Sequence, residues 1–275
     1  VDKMWKYLGI IFIFSIITAF SVSFIMREYK GNVALIRIHG VVYVDAGYGQ
    51  TSSDTIIEAL KDADSNPNIK AIILDINSQG TSAVAAYEII RELDEIEKPK
   101  IAWIRETGTS GAYWIASACD IIVASPMSLT GSIGVTSSYL EFSDLFKKYG
   151  INYVRIVSGE YKDIGSAYKK PTEEELSTLQ AMVDKINDMF VDDVSKRRNI
   201  SRDFVENLSA GIILGSDAKK YGLVDQIGGE KEVEAIIKNI TGTNYIVYEK
   251  YGDKKSLLDL LLSSEKKLTN PRLLS

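Results

Sequence analysis

The chain has 275 residues, 45% hydrophobic and 25% charged, with a net charge of −5. That balance is ordinary for a globular protein and lacks the basic footprint that nucleic-acid binding needs. A lone cysteine, Cys119, excludes an internal disulfide, and a lone histidine, His39, excludes two-imidazole mechanisms and a His-rich metal site.

Residues 1–30 read as a unit of their own. Leu8 to Met26 carry no charge, and at about 1.5 Å per residue they reach about 28 Å, near the thickness of a bilayer core. Trp5, Tyr7 and Tyr29 flank the run as interfacial aromatics do. The small-residue triplet Ser21-Val22-Ser23 lies inside the apolar run, which favours a retained single-pass anchor over a cleaved signal. Membrane lipid is therefore an expected partner of residues 8–26. Lys3 and Lys6 on one side and Arg27 and Lys30 on the other leave the orientation open.

After Gly31 the pattern becomes α/β. Residues 33–38 are β-branched and predict a strand; 55–64 have helical spacing with Asp54 as N-cap; 70–77 predict a buried strand. A helix follows from Ala83 to Glu97, ending before Pro99. Strand 100–105, helix 110–118, strand 120–124 and strand 153–157 come next. A long helix over 172–198 opens on Thr172 and three glutamates, a capping box at the positive dipole end. Short helices over 201–208, 217–221 and 230–240 follow, with Gly242 closing the last. Strand 245–248 and a Leu-rich segment, 257–262, finish the chain. Alternating strands and helices predict a largely parallel sheet. The expected organisation is an anchor (1–30), one catalytic domain (31–242) and a C-terminal strand and tail (243–275).

Small-residue stretches stand where strands meet helices, the places where parallel sheets bind ligands. They are Asn77-Ser78-Gln79-Gly80-Thr81-Ser82, Gly108-Thr109-Ser110-Gly111-Ala112-Tyr113 and Leu129-Thr130-Gly131-Ser132-Ile133-Gly134-Val135, joined by the loop Ser158-Gly159-Glu160-Tyr161-Lys162-Asp163. Ser110 suits either an N-cap or a nucleophile. As a nucleophile it needs a base. His39 is one candidate and Lys162, if burial favours its neutral form, is another. Against Lys162 stands an ion pair with Asp163. Spacing does not choose between them.

Taken together these stretches, with Gly215-Ser216-Asp217-Ala218-Lys219-Lys220-Tyr221-Gly222-Leu223-Val224-Asp225-Gln226-Ile227-Gly228-Gly229, resemble the signal peptide peptidase A family of the ClpP/crotonase superfamily. The resemblance runs from about Val33 to Ile240. It implies a ClpP/crotonase-like fold of repeated ββα units and a serine endopeptidase in which Ser110 attacks the scissile carbonyl. Lys162 would act as base, Ser132 would hold the lysine amine, and Gly111, Gly80 and Thr81 would form the oxyanion hole. It implies no cofactor and no metal. Hydrophobic peptides such as signal-peptide remnants would be the substrates. A homo-oligomer would be the working unit, with Ser and Lys completed within one subunit or across two, and the peptidase domain would lie outside the cytoplasmic membrane. The family's usual loop is Asn-Ser-Pro-Gly-Gly; this chain has Gln79 for the proline and Thr81 for the second glycine, and an unusual backbone angle there would strain Thr81. The rival readings are a stomatin-linked membrane-protein protease and a catalytically inactive membrane scaffold of the same fold.

Overall fold

The computed structural model describes residues 12–16, 18, 31–45 and 51–252. Residues 12–16 and 18 are helical. The rest of the expected anchor, and the Leu-rich 257–262 segment, lie outside the described residues. Among the described residues no helix is long and apolar enough to cross a membrane.

The domain is α/β. Strands β1 (Val33–Tyr43), β2 (Thr51–Ser52), β3 (Ala71–Thr81), β4 (Lys100–Thr109), β5 (Ile121–Ala124), β6 (Leu129–Gly131), β7 (Ile212–Leu214), β8 (Gln226–Ile227) and β9 (Tyr248–Tyr251) form one sheet. Its main path runs β2-β1-β3-β4-β5-β8. Every pairing is parallel except β6 with β7. Parallel strands need crossovers, and helices α1 (Ser53–Ser65), α2 (Ala83–Glu95) and α3 (Gly111–Ser117) supply them between β2, β3, β4 and β5. The remaining helices are α4 (Ser143–Lys148), α5 (Glu173–Arg198), α6 (Arg202–Asn207), α7 (Gly215–Lys220) and α8 (Glu230–Thr241).

Strand residues alternate between two cores. Ile36, Ile38, Ile72, Leu74, Ile76, Ala102 and Ile104 pack against α1, α2, α3 and α5. Val33, Ala71, Ile73, Ile101 and Val123 meet Val233 and Ile237 of α8 on the opposite face. Covering both faces explains why β3 reads as a continuous apolar run in its first half.

Several boundaries differ from the sequence expectation. The N-cap of α1 is Ser52, whose side chain accepts from Thr55 N–H at 3.2 Å, in place of Asp54. Helix α5 begins as expected, with both halves of the Thr172–Glu175 capping box formed. The last strand is β9 at 248–251, later than the expected 245–248, because it pairs with Val33–Ile36 at the edge of β1. The strand expected at 153–157 is not formed: that stretch has no ladder partner among the described residues, and a strand without a neighbour leaves its backbone groups unpaired.

Candidate active site

Ser110 stands at the junction of β4 and α3 and is the N-cap of α3, with no capping bond from its side chain. Its backbone is at φ 54°, a left-handed region that a serine adopts at a cost of about 1–3 kcal/mol. Two bonds hold it there. Its N–H donates to Gly131 O at 2.9 Å, and its carbonyl accepts from Trp114 N–H at 3.0 Å. The hydroxyl is thereby released from capping and presented at the carboxyl end of the sheet.

Ser132 is the second serine with positive φ, at 51°. Strand β6 pairs with the end of β4, Thr109 opposite Gly131, so Ser132 follows directly on the carbonyl that receives the Ser110 N–H. Ser132 N–H donates in turn to Gly211 O at 2.8 Å. The structure thus brings Ser110 and Ser132 to adjoining points of the backbone, each in a strained conformation.

The loop after β3 lies against Ser110. A side chain on Gly80 would place its Cβ 3.4 Å from Ser110 Cβ and 3.6 Å from Ser110 Oγ, and Gly80 has φ 150°. The unusual angle therefore falls on the glycine that is retained, and Thr81 is not among the residues with positive φ. The strain expected at Thr81 does not arise. Gly80 N–H is already engaged, donating to Ser78 Oγ at 3.2 Å. Thr109 Oγ1 donates to Gln79 O at 3.1 Å and Thr107 N–H donates to Asn77 Oδ1 at 3.2 Å, which stitch the loop to β4. Thr81 itself packs on Gly111: a Cβ there would meet Thr81 N at 3.0 Å and Thr81 Oγ1 at 2.2 Å. Gly111 N–H opens α3 and has no acceptor within its own helix. Thr81 and Gly111 thus lie in contact directly beside Ser110.

These residues border a cleft of about 340 Å³ lined by Thr81, Ser110, Gly111, Trp114, Val135 and, from α5, an apolar stripe. The stripe is Leu179, Met182, Val183, Ile186 and Phe190, spaced to occupy one helical face. Trp114 forms part of the wall, stacked on Phe190 with ring centroids 4.5 Å apart and donating from Nε1 to Asp193 Oδ2 at 2.7 Å. Arg197 bonds the same carboxylate and reaches Asp94 on α2, clamping α5 over the cleft. Sequence reasoning left this wall unassigned, although the α5 spacing carried the signal.

Lys162 is not among the residues that line the cleft. It is exposed in the 158–165 turn, and among the described residues its ammonium has no partner. The ion pair with Asp163 weighed against it is not formed. Asp163 instead takes Arg155 Nε at 2.8 Å and Lys169 at 3.7 Å, and the Arg155 bonds hold its carboxyl below the usual carboxylate range. Tyr161 OH bonds Glu174 Oε1 at 2.6 Å, which fixes the turn against the start of α5.

His39, the alternative base, sits on β1 opposite Asn77 with Nε2 3.5 Å from Asp75 Oδ1. It too is not among the cleft-lining residues. Cys119 is buried, and burial pushes its thiol well above the ordinary range, so it is no nucleophile. Among the described residues no group of acidic, histidine or cysteine side chains could hold a metal.

Comparison with known proteins matches the sequence to a protease lineage. The chain is 32% identical over 240 residues to a Methanocaldococcus jannaschii protein provisionally named a protease, covering 83% of this chain and 77% of that protein. A relative in Enterococcus faecium, provisionally named signal peptide peptidase SppA, is 32% identical over 83% of this chain and 70% of its own length. The Haemophilus influenzae protein Protease 4 is 33% identical over 86% of this chain but only 40% of its own length. Among solved structures, that of the membrane-bound stomatin-specific protease 1510-N shares the fold, with a TM-score of 0.53 at 14% identity, over 80% of this chain and 97% of that one. The profile of peptidase family S49 matches residues 92–242, a span that holds Ser110, Ser132 and Lys162. The chain is a serine peptidase similar to signal peptide peptidase A, and it belongs to peptidase family S49.

Proposed function

We propose that the protein cleaves hydrophobic peptides, signal-peptide remnants among them, with a Ser110–Lys162 dyad whose lysine is delivered by a neighbouring copy of the chain. The observation that carries this reading is the contrast between the two members. Ser110 is held in a strained, cleft-lining position against Gly80 and next to Gly111 and Thr81. Lys162 is a presented, unpaired amine outside its own cleft. The segment bearing it, residues 132–171, exposes Leu140, Tyr149, Val154 and Ile156 at 72%, 70%, 75% and 91%. Apolar exposure on that scale fits a surface covered by another subunit.

In the proposed reaction Ser110 Oγ bonds to the scissile carbonyl carbon while its proton passes to the neutral lysine amine. The carbonyl electron pair moves onto oxygen and is met by Gly111 and Thr81 N–H. Collapse expels the peptide amine, which takes the proton from the lysine, and water then hydrolyses the acyl-enzyme by the reverse use of the same groups. Ser132 orients the amine. The apolar stripe of α5 binds hydrophobic side chains, since burial of apolar surface favours binding by about 25 cal/mol per Å². Residues 8–26 anchor the protein in the membrane, with the peptidase domain outside the cytoplasm.

The test is labelling by a fluorophosphonate probe of the full chain in detergent. Wild type is expected to label, and Ser110→Ala and Lys162→Ala are expected not to. Labelling that persists in Lys162→Ala contradicts the dyad; absence of labelling in wild type supports the inactive scaffold.

A further inference from the structure

We infer that the Thr81 hydroxyl is a third donor to the oxyanion in this protein, added to the two backbone N–H groups. The inference rests on the proposed reaction at Ser110 and concerns the position where the chain departs from the family's usual second glycine. Three observations carry it.

The hydroxyl is in the right place. Thr81 lines the cleft with Ser110 and Gly111. Its Oγ1 would stand 2.2 Å from a Cβ on Gly111, the residue whose N–H follows the nucleophile, and its own N lies 3.0 Å from the same point. Hydroxyl and backbone N of Thr81 therefore both press on Gly111, the residue that directly follows Ser110, in the cleft that all three line. Gly111 must stay a glycine to admit that hydroxyl.

The hydroxyl is also free to turn. At rest Thr81 Oγ1 donates to Ser82 O at 2.9 Å. That carbonyl also accepts Ala86 N–H at 3.0 Å, as the first acceptor of α2. Rotation about the Cβ–Oγ1 bond toward the cleft therefore leaves no orphaned carbonyl, and an exchange of one acceptor for another costs little. An acceptor that becomes negative in the transition state draws the hydrogen more strongly than a neutral carbonyl does.

Finally, the loop is short of donors. Gly80 N–H is committed to Ser78 Oγ at 3.2 Å, so of the two loop residues that the family resemblance offers as donors it is Thr81 that has hydrogens to give. Glycine at 81 would contribute an N–H alone; threonine contributes an N–H and an O–H.

The experiment is steady-state hydrolysis of an apolar peptide by the full chain carrying Thr81→Val, Thr81→Ser or Ser110→Ala, with thermal melts of each. Valine keeps the β-branched shape and the backbone N–H and removes only the hydroxyl. The expected result for Thr81→Val is a fall in kcat of about 10²-fold, the usual size for one oxyanion donor, with KM and the melting temperature unchanged. Thr81→Ser is expected to recover most of the rate. A Thr81→Val enzyme with wild-type kcat, or a serine variant as slow as the valine one, overturns the inference while leaving the Ser110 assignment intact. Turnover that survives Ser110→Ala overturns both together.

Discussion

Residues 33–131 and residues 132–171 adjoin in sequence and behave oppositely. In the first region most apolar side chains are buried, against α1, α2, α3, α5 or α8, and strands β1 to β6 are hydrogen-bonded into one sheet. In the second, one short helix, α4, is the only regular element, and Leu140, Tyr149, Val154 and Ile156 face outward. Local bonds do hold the second region together: Phe142 N–H to Ala167 O at 2.8 Å, Phe146 stacked 5.7 Å from Tyr168, and Arg155 on Asp163. They fix a shape without making a core. Ser110 thus sits where strands and helices close into a core, and Lys162 in a segment whose apolar side chains face outward.

The sharpest break of this contrast is at the lysine. Lys162→Ala is expected to lower peptide hydrolysis by about 10⁴-fold or more, as removal of a base does when nucleophile and base act as a unit. Its melting temperature should match wild type, because the amine has no partner among the described residues. A variant that loses stability along with activity would place Lys162 in the scaffold.

Next in size is the cleft wall. Trp114→Ala removes a side chain that is 7% exposed and stacked on Phe190, at an expected cost of about 3–5 kcal/mol in unfolding free energy. Denaturant titration checks this; a loss below 1 kcal/mol, taking ~1 kcal/mol as the common value for an unremarkable substitution, would mean α5 is held by other contacts.

Ile156→Asp tests the other region. At 91% exposure the substitution should change the stability of the chain by no more than about 0.5 kcal/mol, yet it should shift the full protein in detergent from an assembly to a single chain in light scattering and abolish hydrolysis. An unchanged mass with full activity would remove the case for a covering subunit.

The smallest effect is acid sensitivity where residues 132–171 run into α5. Glu175 bonds Lys169 and Thr172 N–H, and these hold its carboxyl below the usual range. A folded-state pKa below the unfolded value stabilises the fold above about pH 4.3 and loses that contribution as pH falls through the folded value. The melting temperature of Glu175→Gln should therefore lie below wild type at pH 7, with the gap closing toward pH 3. A constant gap would assign the effect to packing.

The sequence made the helices and central strands legible where one signal acted locally. The Thr172–Glu175 box predicted the start of α5, and the apolar run of β3 predicted a doubly covered strand. It misled where the deciding partner was distant. Residues 153–157 have strand composition, but no neighbour among the described residues supplies a ladder. The three-residue strands β6 and β7 are too short to carry a periodicity of their own, and exist because Gly131 and Ile212 meet across the chain. At the site, the motifs marked Ser110, Gly111 and the Gln79-Gly80-Thr81 loop as neighbours, and the structure brings them together. The positive φ of Ser110 and Ser132, and the engagement of Gly80 N–H by Ser78, follow from strand pairing and side-chain placement that no single stretch encodes.

The most direct test of a dyad shared between copies is to mix two inactive proteins. Ser110→Ala and Lys162→Ala chains, each without peptidase activity alone, are reassembled together from detergent. If the amine of one copy serves the hydroxyl of the next, the mixture regains a fraction of wild-type hydrolysis set by the number of neighbouring pairs that join an intact serine to an intact lysine. A mixture as inactive as its components, with co-assembly confirmed by light scattering, would contradict the account.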